Sequence, residues 1–240
     1  MGNKKLSVII PAFNEESTIE SILQKVLAAD LPGDMAREII VVDDGSKDQT
    51  AEIVQAFIHR NPNHPVRLLL QPKNMGKGAA IKRGVAEVQG NFVVVQDADL
   101  EYDPREYADL LKPVMEGYAD VVYGSRFQGN NPHRILFFWH TIGNKFLTFV
   151  SNIFTNLNLT DIESCYKLFR REIIQELDLR EKGFGFEPEV TAKICRIPGI
   201  RIYEIGISYY GRTYDAGKKV SAADGFRALY CILKYNIFSR

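Results

Sequence analysis

The chain has 240 residues, 45% of them hydrophobic, with 30 basic and 30 acidic side chains and a formal net charge of zero. That is enough chain to bury a large core in one α/β domain, and the neutral balance argues against a nucleic-acid partner held by a broad basic surface. Three scattered cysteines (Cys165, Cys195, Cys231) and four histidines without metal spacing speak against a disulfide framework and a zinc site, so the thiols read as reduced and the setting as cytoplasmic. No stretch of 18 uncharged apolar residues occurs, so no segment reads as a bilayer span, and Met1 to Lys5 leads into a strand without a secretory leader.

Leu6 to Ile10 is a short apolar run stopped by Pro11 and predicts the first strand. The turn Pro11-Ala12-Phe13-Asn14-Glu15 follows, with Asn14 placed to cap a helix that carries Ile19, Ile22, Leu23, Val26 and Leu27 at helical spacing. Glu38 to Val42 predicts a second buried strand, ending in Asp43-Asp44-Gly45-Ser46. Ser46 and Gln49 fit a capping box for a helix through Ile58. Asp43 and Asp44 cannot both be capping residues, so at least one is left to accept from a base N–H or a ribose hydroxyl. Val66 to Leu70 predicts a third strand, and the glycines around Lys77 in Asn74-Met75-Gly76-Lys77-Gly78 have two readings. They suit close backbone approach to a phosphate, or they answer a steric need at a helix start; the Walker and dinucleotide patterns are both missing.

Phe92 to Val95 reads as a buried parallel strand that runs into Gln96-Asp97-Ala98-Asp99-Leu100-Glu101. Charges do not belong inside a sheet, so Asp97 and Asp99 fall where the strand emerges, the edge at which open α/β sheets bind ligands. Their i, i+2 spacing offers hard oxygen ligands to Mg²⁺ or Mn²⁺, or else a solvated acidic turn before the helix start at Asp103-Pro104. That helix carries Tyr107, Leu110, Leu111, Val114 and Met115 on one face. Asp120 to Tyr123 predicts a fifth strand leading to Arg126, an anion clamp or a surface ion-pairing residue. Five strand-then-helix units predict a doubly wound, mostly parallel sheet.

The second half changes character. Residues 135–154 place Ile135, Phe138, Ile142, Phe146, Phe149 and Ile153 on one helical stripe, interrupted by His140, Asn144, Lys145 and Asn152. A core helix is the expectation, and an interfacial helix lying on lipid headgroups is the alternative. Thr160 to Lys167 reads as a loop before a helix, and it carries Asp161 and Glu163. Gly183 to Glu189 opens a helix through Cys195, and Ile200 to Ser208 is the last strand. The loop after it carries Arg212, Lys218 and Lys219 and is either a lid over a nucleotide or an exposed basic loop.

In their order these motifs resemble family 2 glycosyltransferases of the GT-A fold, in particular the dolichyl-phosphate mannose synthase and polyprenyl-phosphate glycosyltransferase branch. The resemblance implies one GT-A domain over 1–240, with a nucleotide-sugar half (1–126) and an acceptor half (127–240). It implies that Pro11, Ala12, Asn14, Glu15, Asp43 and Asp44, with Gly76, Lys77 and Ala98, hold the nucleotide. Asp97 and Asp99 would hold Mg²⁺ or Mn²⁺ with Glu101 as a third ligand, and Arg126, Arg212 and Lys218 would lie near the donor and acceptor phosphates. The implied reaction is inverting transfer of a hexose from a UDP- or GDP-sugar to a polyprenyl phosphate. Residues 163–167 read Glu-Ser-Cys-Tyr-Lys where mannose synthases have a Ser/Thr-Gly-Phe-Arg type of sequence, which leaves the sugar and acceptor open. A hydroxyl acceptor would need a base, Asp161 or Glu163; a lipid phosphate would need contact through 135–154 and 226–238, peripheral to the cytoplasmic face of the membrane. A nucleotidyltransferase would want cations directly after the first strand, which Pro11 to Glu15 lacks. A non-catalytic nucleotide-sugar-binding module is the rival of another class.

Overall fold

The apolar runs become the strands of one seven-stranded sheet of order β3-β2-β1-β4-β6-β5-β7. In the computed structural model, which describes residues 4–129, 134–135, 137–211 and 222–238, the strands are β1 (Lys5–Ala12), β2 (Ala36–Asp43), β3 (Val66–Leu70), β4 (Phe92–Val95), β5 (Val121–Ser125), β6 (Lys167–Arg170) and β7 (Ile202–Gly206). β1 pairs in parallel with both β2 and β4, β2 with β3, and β5 with β7. Ile9, Ile40 and Val94 are fully buried, as strands covered on both faces by crossover helices must be. The helices are α1 (Ile19–Ala28), α2 (Thr50–Arg60), α3 (Lys77–Val85), α4 (Tyr107–Met115), α5 (Phe138–Thr155), α6 (Arg171–Glu176), α7 (Phe186–Ile194) and α8 (Ala222–Leu233), the last running on into a π-type turn at Lys234–Phe238.

The expected doubly wound sheet is present, with one strand more than expected. β6 runs antiparallel between β4 and β5, so the loop read at Thr160 to Lys167 enters a strand in the middle of the sheet. β4, β1 and β2 therefore end on the same side, and their acidic ends meet there. At the opposite end Glu38 ties the sheet together, accepting from Ser7 Oγ (2.5 Å) and from the backbone of Gln89 (2.6 Å) and Gly90 (2.9 Å).

Two local expectations are corrected. Asn14 does not cap α1: it sits at φ 52°, its N–H donates to Ser46 Oγ (3.0 Å) and its side chain accepts from the Lys47 N–H (2.8 Å). Nor does Ser46 cap α2, since Asp48 takes that place by accepting from the N–H and hydroxyl of Thr50 (3.0 and 2.5 Å). Asn14 and Ser46 thus lace the β1 loop to the β2 loop. The Asp103-Pro104 start is as expected, with the Asp103 carboxylate accepting from the Arg105 N–H at 3.0 Å.

The core expectation for α5 is overturned. Phe138, Phe149 and Ile153 are each more than 60% exposed, while Thr148, Ser151 and Thr155 are buried. The helix packs on its small polar side and turns its aromatic stripe outward. Phe226 and Tyr230 on the adjacent α8 are exposed as well.

Candidate active site

A cleft of about 1080 Å³ opens at the carboxyl ends of β1, β2 and β4 and is closed on the far side by α5, α7 and α8. Pro11, Ala12 and Glu15 line it from the β1 loop, and Asp44 and Gly76 from the β2 and β3 loops. Asp97, Ala98, Asp99 and Glu101 line it from the end of β4, and Arg126 from the end of β5. Asn14, Asp43 and Asp161 do not line it. Arg212 and Lys218 lie outside the described residues.

Asp44 is already committed. Its carboxylate accepts from Gln71 Nε2 (2.7 Å) and from the N–H groups of Met75 (2.8 Å) and Gly76 (2.7 Å), which fixes the loop before α3. Asp43 accepts from the Ser46 N–H at 3.2 Å and keeps Oδ1 buried and unpartnered. The glycines of that loop serve packing: a Cβ on Gly76 would lie 2.4 Å from the Lys182 carbonyl, and one on Gly78 2.4 Å from that of Glu181.

Lys77, at the start of α3, reaches back to Asp97 (2.9 Å to Oδ1) and lies 3.5 Å from Glu187 on α7. Burial alone would lower the Lys77 ammonium, but Asp97, Cys165 and Glu187 outweigh it and hold the group well above the usual lysine range. Three residues beyond Asp97, Leu100 adopts φ 65°, and this turn lets Asp99 Oδ1 accept from the Glu101 N–H at 3.0 Å. Glu101 instead receives the Tyr209 hydroxyl at 2.7 Å. Among the described residues no three His, Cys, Asp or Glu side chains are grouped closely enough to hold a metal.

Arg126 is gripped by Asp161. Its Nε is 2.7 Å from Oδ2 and its terminal nitrogen 2.8 Å from Oδ1, while its backbone N–H adds a third contact at 3.1 Å. Asn144 of α5 donates to the same carboxylate at 3.1 Å, and Tyr209 stacks under the guanidinium at 5.3 Å. Burial raises the Asp161 carboxyl, yet Arg126 and the hydrogen bonds more than offset this and leave it below the ordinary range. Fully buried and fully engaged, Asp161 positions Arg126 and is not free to act as a base.

Sequence reasoning did not single out Glu187, Cys165, Tyr209, His140 or Asn144, all of which line the cleft. The available signal was Gly183-Phe184-Gly185-Phe186-Glu187, an acid at a glycine-flanked helix start. Behind that segment Glu181 binds Arg227, Lys234 Nζ (2.8 Å) and the Tyr235 hydroxyl (2.8 Å). Burial works against its charge, but these partners lower its carboxyl to about 2.

An α/β sheet whose acidic strand ends gather around one deep cleft, lined also by Lys77 and Arg126, belongs to the GT-A class of fold. The family model for glycosyl transferase family 2 matches residues 7–178. The undecaprenyl-phosphate 4-deoxy-4-formamido-L-arabinose transferase of Photorhabdus laumondii is 33% identical over 215 residues, 90% of this chain and 63% of that protein. A dolichyl-phosphate beta-glucosyltransferase of Trichomonas vaginalis is 30% identical over 250 residues, 98% of this chain and 74% of its own length. The chain therefore belongs to glycosyl transferase family 2, and it spans a little under two thirds of the first of these relatives. Among solved structures, glucosyl-3-phosphoglycerate synthase from Mycobacterium tuberculosis, crystallised with Mn²⁺, UDP and glucosyl-3-phosphoglycerate, superposes with a TM-score of 0.70. It covers 97% of this chain and 80% of its own at 22% identity, a likeness of fold.

Proposed function

We propose that this chain transfers a hexose from a nucleotide sugar to a polyprenyl phosphate, with inversion and with a divalent cation. The observation that carries the reading is a single cleft with two unlike ends. Asp97, Asp99 and Lys77 line one part of it, Phe146, Phe226 and Leu229 of α5 and α8 line another, and Arg126 lines it as well. The named relatives act on undecaprenyl and dolichyl phosphates, which supports an acceptor with a charged head and an apolar tail.

The donor set fits a hard cation. Asp97 and Asp99 offer carboxylate oxygens at the sheet edge, and two carboxylates suffice for Mg²⁺ or Mn²⁺ when diphosphate oxygens and water complete the shell. Bound there, the cation supplies charge stabilisation to the departing diphosphate. Lys77 holds the Asp97 carboxylate in place and adds a fixed positive charge beside the leaving group. Arg126, locked by Asp161, orients the acceptor phosphate. A phosphate monoester has a second pKa of about 6 and arrives anionic, so no side chain needs to remove a proton; the engagement of Asp161 favours this acceptor over a hydroxyl. By resemblance, Arg212 and Lys218 complete the cationic surround.

We place the exposed aromatic faces of α5 and α8 on the membrane surface. Trp139 and Tyr230, 78% and 54% exposed, suit the headgroup region, and the cleft is lined by apolar residues of the same two helices, Phe146, Leu147, Phe226 and Leu229, beside which an isoprenoid tail could lie. No helix of the described residues is long and apolar enough to cross a bilayer. The test is a panel of UDP- and GDP-sugars with Mg²⁺, with and without undecaprenyl phosphate in vesicles. Transfer of sugar into the organic phase only when the lipid phosphate is present is the expected result; transfer to a lipid or glycan hydroxyl would overturn it.

A further inference from the structure

Two carboxyl groups in the cleft have no part in the chemistry above. Glu163 comes from the loop before β6 and Glu187 from the first turn of α7, and both line the cleft. Each keeps one oxygen shielded from water and without a hydrogen-bond partner, Oε1 of Glu163 and Oε2 of Glu187. Glu187 is only 3% exposed, and its other oxygen lies 3.5 Å from Lys77, the residue that holds Asp97. The pair therefore sits one lysine away from the proposed diphosphate end, where the donor's sugar must project.

Buried oxygens without partners are rare in folded proteins because desolvating them without a hydrogen bond is unfavourable. A rotation of either carboxyl presents its orphaned oxygen to a ligand, and a ligand rich in hydroxyls satisfies both. We propose that Glu163 and Glu187 form the subsite that reads the transferred sugar, selecting a neutral, hydroxyl-bearing hexose over a uronic acid. This rests on the donor reading given above.

Burial, and then the neighbouring Glu187, push the Glu163 carboxyl up to about 8. It stays protonated at neutral pH and donates to a sugar oxygen while Glu187 accepts from a hydroxyl. A uronate would bring a further carboxylate against this pair, and the described cations beside it already face other carboxylates or carbonyls. Lys77 pairs with Asp97, Arg126 with Asp161, and Lys167 donates to the carbonyls of Ile162 and Ser164. Groups built to hydrogen-bond a substrate reject analogues that leave them unpaired or repelled.

Calorimetric titration of the full chain with Mg²⁺ tests the assignment, using wild type, E163Q, E163A and E187Q. The ligands are UDP, GDP, UDP-glucose and UDP-glucuronate, with GDP-mannose and GDP-mannuronate as the sugar pair should GDP be the diphosphate that binds. Nucleoside diphosphate affinity should be the same in all four proteins within about twofold. The neutral nucleotide sugar should lose roughly tenfold in E163A and E187Q but much less in E163Q, which keeps a hydrogen-bonding group of the same shape. Wild type should prefer the neutral sugar to the uronate by tenfold or more, and E187Q should narrow that gap. Wild type binding both sugars equally, or E163A and E187Q binding the neutral sugar unchanged while the diphosphate still binds, overturns the subsite. Failure of both UDP and GDP to bind wild type overturns the donor reading itself.

Discussion

Asp161 and Glu163 are two carboxylates of one loop, two residues apart, and their surroundings drive them in opposite directions. Asp161 is held below the ordinary carboxyl range, chiefly against burial, by Arg126. Its stabilising contribution is present above the unfolded pKa and is lost as pH falls through the lowered folded value. Glu163 is raised from 4.5 to about 8, so the linkage reverses: stability is fullest below the unfolded value and is lost as pH rises toward 8. The melting temperature of wild type relative to E163Q should therefore fall between pH 5 and pH 8.5; parallel curves would contradict it. Asp161→Asn should destabilise by about 3–5 kcal/mol in urea unfolding, because it leaves the Arg126 guanidinium buried without its counter-charge. None of this was legible in the sequence, which shows two acids in a polar loop. Which one faces the cleft and which one clamps an arginine depends on residues 35 and 24 positions away, Arg126 and Glu187.

At the scale of elements, the periodicity of 135–154 was read correctly and its direction was not. Spacing reveals that a helix has an apolar stripe; it does not say whether the stripe meets the protein or something outside it. The small side chains opposite, Thr148, Ser151 and Thr155, are what let α5 lie close to the core, and small polar residues carry no strong signal of burial. β6 was missed for a related reason: Lys167-Leu168-Phe169-Arg170 is four residues long and opens with a lysine that the fold buries completely. Replacing Phe149 and Ile153 by serine should change stability by no more than about 0.5 kcal/mol, as expected of exposed positions. The same double variant should lose most of its sedimentation with anionic vesicles and at least tenfold of its turnover on a vesicle-borne acceptor, with nucleotide affinity unaffected. Equal vesicle binding by variant and wild type would remove the membrane from the account.

For the whole molecule, the strand-and-helix alternation and the acidic strand ends were plain in the sequence, because apolar, β-branched runs of four to five residues bounded by turn residues fit strands of a covered sheet. Chelation by EDTA should abolish transfer while moving the melting temperature of the nucleotide-free protein by less than about 1 °C, since the proposed ligands Asp97 and Asp99 lie at the carboxyl end of β4 in the cleft and not in the apolar core. A large drop in melting temperature would mean a structural metal. Gly76 and Gly78 seat on the 181–183 backbone with no room for a methyl group between, and Glu181 in turn grips Arg227, Lys234 and Tyr235, so α3 and α8 are joined through that segment. On the proposed reading, the lysine beside the diphosphate and the helix set against lipid are therefore braced by one and the same packed segment.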